Sequence, residues 1–221
     1  MDLVPLSLLF GLVIGIKHAL EADHIVAVAT LVTEHKNPFK ASLIGTFWGI
    51  GHTTILFVVG LVVLLLRISI PDSWSKIAEF FVGMMLVYLG IKTITKAFSS
   101  FHTHTHSHGK THHDHPHINH LHVHHRSFLI GFIHGLAGSG SLMVLVLSTM
   151  QTFWEGIIYI LLFGIGSIVG MTLMSFIFGI PLAFTSNKFL IVEKYLKIVA
   201  GVLSIVFGLL IIYEIGFTNL L

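Results

Sequence analysis

The chain has 221 residues, of which 54% are hydrophobic and only 10% charged, with a net charge of +2 when histidine is neutral. Soluble domains average about 25% charged residues, so this composition, with a mean hydropathy of +0.91, describes an integral membrane protein with little left over for a soluble domain. The small net charge argues against nucleic acid as a partner, and the absence of cysteine excludes disulfides, iron–sulfur clusters and thiolate metal sites.

Apolar runs of the roughly 20 residues needed to cross a bilayer fall at about 3–33, 40–66, 77–98, 127–149, 154–183 and 190–215. The predicted fold class is therefore an all-α integral membrane protein with six transmembrane helices. The N-terminus has neither a basic n-region nor a small-residue cleavage site, so the first run reads as a retained helix. That run and the fifth are overlong, which predicts tilt, a kink or an interrupted helix.

The first run contains His18-Ala-Leu-Glu21-Ala-Asp23-His24. Two imidazoles and two carboxylates at bilayer depth are costly and point to function, and these residue types bind borderline divalent metals through nitrogen and oxygen. On a regular helix His18, Glu21 and His24 share one face while Asp23 points elsewhere. Bringing Asp23 to the same ion requires the backbone to unwind, which is tolerated where it lines a cavity; otherwise Asp23 acts from behind the ligands. Lys17, one turn before Glu21, is placed to neutralise it. The second run adds Gly49-Ile-Gly51-His52-Thr53-Thr54, where glycine admits a neighbouring helix and the imidazole reaches across. Thr53 and Thr54 are placed to bond the backbone or to hold a ring tautomer. The candidate metal ligands are thus His18, Asp23, His24 and His52.

An internal repeat predicts the arrangement of the spans. Gly15-Ile-Lys-His18 aligns with Gly131-Phe-Ile-His134, Trp48-Gly-Ile-Gly51-His52 with Phe163-Gly-Ile-Gly166-Ser167, and the Gly83-to-Gly90 stretch with Gly201 to Gly208. Each unit holds three spans, an odd number, so the second must cross in the opposite sense, giving two inverted three-helix repeats of the kind found in transporters. The predicted domains are residues 1–98, a histidine-rich loop at 99–126, and residues 127–221. In the second repeat His134 corresponds to His18, but the acids are replaced by small residues. His134 and Ser139 are pathway candidates, with Lys17, Glu21, Thr53 and Thr54. Met84, Met85, Met143, Met171 and Met174 form no spaced motif and read as packing. Glu34 and His35 read as a solvated helix end.

Residues 102–125 hold twelve of the chain's seventeen histidines, among them His102, His104, His106, His108, His112, His113, His115 and His117. Such composition forms no core and marks an auxiliary metal-binding loop that buffers, feeds or senses the ion. Nine lysines and arginines fall on the side of that loop and two, Arg67 and Lys76, on the other. The positive-inside rule then puts the loop in the cytoplasm and both termini outside the cell membrane.

These motifs resemble the nickel/cobalt transporter family, whose His-x4-Asp-His signature matches His18 through His24 and whose Gly-His-Ser/Thr-Thr element resembles Gly51 to Thr54. Typical members have eight helices, so the chain resembles a shorter, urease-accessory-type branch; an acidic element expected in the second half is replaced by His134-Gly-Leu-Ala-Gly-Ser-Gly. The resemblance implies a secondary permease for Ni²⁺ or Co²⁺, with the ion as cargo, no resident cofactor, no enzymatic activity, and a cytosolic metallochaperone as a possible partner. Uptake is the favoured direction, with efflux open because the loop equally serves to collect cytosolic metal. A membrane metalloenzyme is the weaker alternative, since His-Glu-x-x-His is absent. An electron carrier is disfavoured by the lack of cysteine, and a loop-based sensor remains a further reading.

Overall fold

The computed structural model describes residues 4–35, 37–68, 70–99, 124–137, 150, 152–185 and 190–217, and all regular structure among them is helical. The helices are α1 (Val4–His18), α2 (Ala22–Val32), α3 (Pro38–Leu66), α4 (Asp72–Ser99), α5 (helical residues 124–137), α6 (Phe153–Thr185) and α7 (Leu190–Phe217). Four of them, α3, α4, α6 and α7, are long and apolar enough to cross a membrane. At 1.5 Å per residue the 33 residues of α6 extend about 50 Å, more than the roughly 30 Å hydrocarbon core, so it crosses with tilt or projects beyond it.

The first predicted span is two short helices. The last turn of α1 tightens, Leu20 N–H donating to the Lys17 carbonyl at 2.9 Å and Glu21 N–H to that of His18 at 3.0 Å. Glu21 then turns extended (φ −66°, ψ 150°) and its carbonyl starts α2 by accepting from Ile25 N–H at 2.9 Å. Asp23 falls in the first turn of α2, where the helix dipole favours a negative charge. Of the alternatives left open by the overlong first run, interruption is the one adopted, and it falls within the His18–His24 motif. The overlong fifth run, by contrast, is one helix that continues through Pro181. The next helix, α3, begins where the Asn37 side chain accepts from Phe39 N–H at 2.9 Å, with Pro38 in the first turn; it ends at Arg67 in the left-handed region (φ 51°).

α3 packs along α6, α4 along α7, and α1 along α6, with α2 inserted against α4, α6 and α7. Small residues set these approaches, and they do so reciprocally. A Cβ on Gly15 would collide with the Phe163 carbonyl, and one on Gly131 with the Trp48 carbonyl; Gly131 and Trp48 are the repeat counterparts of Gly15 and Phe163. The same exchange relates Gly51 on Phe128 to Gly166 on Leu12. Between α4 and α7, Gly83 faces Gly208 and Gly90 faces Gly201, and Ser204 Oγ donates to the Leu86 carbonyl at 2.7 Å. Such backbone-to-backbone approach is the packing mode available where lipid tails compete equally for apolar side chains.

The methionines behave as packing residues where they are described: Met171 is fully buried, Met85 and Met174 lie against the same core, and Met84 is exposed. Met143 is outside the described residues. Glu34 is not a free solvated end. Lys96 Nζ lies 2.7 Å and an Arg126 guanidinium nitrogen 3.6 Å from its carboxylate. Burial works to raise the pKa of that carboxyl, but the hydrogen bond from Lys96 and the nearby cations outweigh it and hold the group below its ordinary value.

A side chain at the α4–α7 crossing tests this packing. Gly90→Ile should cost about 1–3 kcal/mol through overpacking, read as a lower unfolding temperature of the detergent-purified protein. Gly216→Ala, where an added Cβ meets nothing within 4 Å, should leave it unchanged.

Candidate metal centre

At the break between α1 and α2, His18, Asp23 and His24 meet His52 of α3 and His134 of α5 inside the helix bundle. His24, His52 and His134 are 2%, 0% and 1% exposed and rank among the largest fully buried side chains. His24 is central: its ring centroid lies 4.4 Å from His18, 4.3 Å from His134 and 5.1 Å from His52. Trp48 covers His24 and His134 at 5.5 and 5.4 Å, and Phe163 lies 5.3 Å from His18. The walls keep the repeat relation, since His18 rests on Phe163 and its counterpart His134 rests on Trp48.

The hydrogen bonds define where the ring lone pairs are. His18 Nδ1 lies 2.9 Å from a Glu21 carboxylate oxygen; a carboxylate only accepts, so Nδ1 carries the proton and His18 Nε2 holds the lone pair. That Nε2 is 3.2 Å from His52 Nε2. Asp23 accepts twice, from His24 Nδ1 at 3.0 Å and from His134 Nε2 at 2.8 Å. His24 Nε2, His52 Nδ1 and His134 Nδ1 are then left buried with no hydrogen-bond partner. Three such nitrogens are a cost to an apolar interior unless something else engages the cluster.

A metal ion fits that chemistry. One nitrogen from each of His18, His24 and His52 lies within 4.8 Å of the others, as do ligand atoms of Asp23, His24 and His134. Two imidazoles bound at about 2.1 Å in tetrahedral geometry would hold their nitrogens about 3.4 Å apart, close to the 3.2 Å between the His18 and His52 Nε2 atoms; His52, which donates from Nε2 in that contact, would bind with its proton moved to the unpartnered Nδ1. A carboxylate receiving the second N–H of a ligating histidine is the usual orienting arrangement, and Glu21 stands so to His18 and Asp23 to His24.

All four predicted ligands, His18, Asp23, His24 and His52, meet in this cluster, and His134 joins them. Of the pathway candidates, Glu21 reaches it through His18. Lys17 is exposed, and the Glu21 carboxylate it was expected to neutralise is bonded by His18. Thr53 donates to the Gly164 carbonyl at 3.2 Å and Thr54 to that of Ile50 at 2.7 Å, so both serve backbone rather than an imidazole. Ser139 and the loop positions His102, His104, His106, His108, His112, His113, His115 and His117 lie outside the described residues. Trp48 and Phe163 were not anticipated as walls of the site, although both stand in the repeat alignment.

Residues 6–210 match the family described as "Cytochrome C biogenesis protein transmembrane region". The chain is 41% identical over 221 residues, 99% of its own length and 96% of the relative's, to the urease accessory protein UreH of Bacillus sp. (strain TB-90). It is also 25% and 23% identical to the chloroplast proteins FOR GROWTH AND FERTILITY 2 and 1 of Arabidopsis thaliana, matching 73% of this chain and 44% and 46% of theirs. No solved structure matches it.

Asp23 as the shared acceptor makes a measurable prediction. Asp23→Asn retains one acceptor oxygen and should weaken Ni²⁺ binding about 10- to 100-fold, measured by titration calorimetry with the loop histidines replaced by asparagine. Thr54→Ala, which loses only a bond to backbone, should bind as the parent does.

Proposed function

The chain belongs to the family of cytochrome c biogenesis protein transmembrane regions, an integral membrane family, and from that premise we propose that it is a secondary permease carrying Ni²⁺ or Co²⁺ across the cell membrane. The observation that carries the reading is the cluster of His18, Asp23, His24, His52 and His134, whose ligand atoms lie at ligand spacing within predominantly apolar helices. Imidazole favours these borderline metals over Mg²⁺ and Ca²⁺, and Asp23 and Glu21 offset the charge of the dication in a low-dielectric interior. The reading extends the sequence resemblance to nickel/cobalt transporters.

The architecture that goes with it is six spans in two inverted repeats, residues 1–98 and 127–221. The interrupted α1–α2 pair makes the first span, the histidine-rich loop 99–126 lies in the cytoplasm, and both termini are outside. The reciprocal glycine contacts support the repeats. Broken helices at an intramembrane site are the form such carriers use to bind an ion. Dithiol electron transfer, which the family description could suggest, is chemically closed to a chain without cysteine. Similarity to a urease accessory protein accords with the sequence resemblance to the urease-accessory-type branch, which favours nickel and uptake. Ions entering the cytosol would be taken up by the loop histidines or by a metallochaperone. Efflux is the second reading, with the loop loading the site from the cytosol.

Nickel and cobalt contents of cells expressing the parent protein, His24→Ala or an empty vector distinguish these. Uptake predicts accumulation with the parent and a return to vector level with His24→Ala; a His24-dependent fall below vector would reverse the direction. No change in either metal with protein confirmed in the membrane would overturn the reading.

A further inference from the structure

The cluster contains two ligand sets, His18–His24–His52 and Asp23–His24–His134, and they share one residue. His24 is the shared member, its ring centroid 4.4 Å from that of His18 and 4.3 Å from that of His134. A neutral imidazole has one nitrogen lone pair, so without losing a second proton the ring can complete one set at a time. We propose that these are two alternative positions for a single transported ion, which passes between them by exchange at His24. The proposal rests on the permease reading and adds the path the ion takes through its site.

The two sets differ in what the protein supplies. The first is three imidazoles, with Glu21 held on the far side of His18 and outside the set. The second replaces one imidazole by the Asp23 carboxylate, already held by His24 and His134. His18 and His134 are repeat counterparts, each on its own aromatic wall, and each belongs to one set alone. With His24 Nδ1 protonated toward Asp23, its free lone pair on Nε2 serves the first set. To serve the second, the His24 proton moves from Nδ1 to Nε2 and the His134 proton from Nε2 to Nδ1, or the rings turn to the same effect, and Asp23, which had accepted from both, is then released to bind the ion. Among the described residues each set supplies three protein ligands, and conduction through a site is served by multiple positions of modest depth. His52 belongs only to the first set and His134 only to the second, which makes the two separable by mutation.

The experiment uses the full chain in lipid nanodiscs, with the loop histidines replaced by asparagine and Co²⁺ as the probe. It combines bound metal per chain, the visible d–d spectrum, and uptake into vesicles. The parent should bind one ion, and its spectrum should be a weighted sum of those of His52→Ala and His134→Ala. Each of these variants should still bind one ion, with affinity reduced no more than about 30-fold, yet lose at least tenfold in uptake; His24→Ala should lose at least 100-fold in affinity. His134→Gln, of similar bulk, should reproduce the His134→Ala spectrum and guards against a packing defect. Two ions bound at once in the parent would overturn the proposal while keeping the permease. So would a parent spectrum identical to that of His134→Ala with uptake intact. A parent with no His24-dependent binding would overturn both.

Discussion

The structure turns on the problem of holding ionisable side chains in an apolar bundle, and the break after His18 is the local solution. A continuous helix through residues 18–24 would aim Asp23 away from His18 and His24. The extended backbone at Glu21 re-aims α2 relative to α1 and His18, and Asp23 in the first turn of α2 accepts from its neighbour His24 and, across the bundle, from His134. Interrupting a helix frees backbone groups that lipid cannot satisfy. Here the closing turn bonds the Leu20 and Glu21 amides, and the Glu21 carbonyl begins the next helix. The break and the polar cluster therefore fall at the same place, within the His18–His24 motif.

The cluster also requires helices to approach more closely than ordinary side chains permit. His52 is one residue beyond Gly51, which lies against the Phe128 carbonyl; His134 is one residue before Gly135, whose Cβ would meet the His52 carbonyl at 2.6 Å. Those glycines bring α3 and α5 together at the level where their imidazoles stand. The same small-residue approach at Gly15 and Phe163 seats His18 on the face of α6. The glycines thus set the distances on which the ligand geometry depends, and a bulky substitution there would disturb metal binding without touching a ligand.

Much of this was legible in residue types and spacing, because intramembrane histidine and aspartate are rare enough to carry information singly. His18, Asp23, His24 and His52 could be named from two short motifs. The repeat alignment paired the glycines that later appear in reciprocal contact. What periodicity could not supply was the conformation at Glu21, since the apolar pattern runs on through residues 25–32 as if the helix were unbroken. The alternatives for Asp23, ligand or orienting acceptor, turned on that one backbone angle. Glu34 was misread as a solvated end because its partners Lys96 and Arg126 are distant in sequence. Trp48 and Phe163 were taken as repeat markers, since an aromatic residue in a span is ordinarily packing.

The contrast between the bundle and its site is informative about what duplication retains and what it alters. The helix contacts are nearly symmetric: Gly15 answers Gly131, Gly51 answers Gly166, and Gly83 and Gly90 answer Gly201 and Gly208. The polar groups are not. His52 has Ser167 as its counterpart, and Ser167 donates to the Gly15 carbonyl at 3.3 Å, a packing role. Of the five side chains that approach one another, His134 alone comes from the second half. A symmetric site would present an ion with equal ligand sets on both sides and no chemical difference between them. Keeping the scaffold symmetric while weighting the ligands toward the first half leaves two unequal ligand sets around His24, one of three imidazoles and one containing a carboxylate.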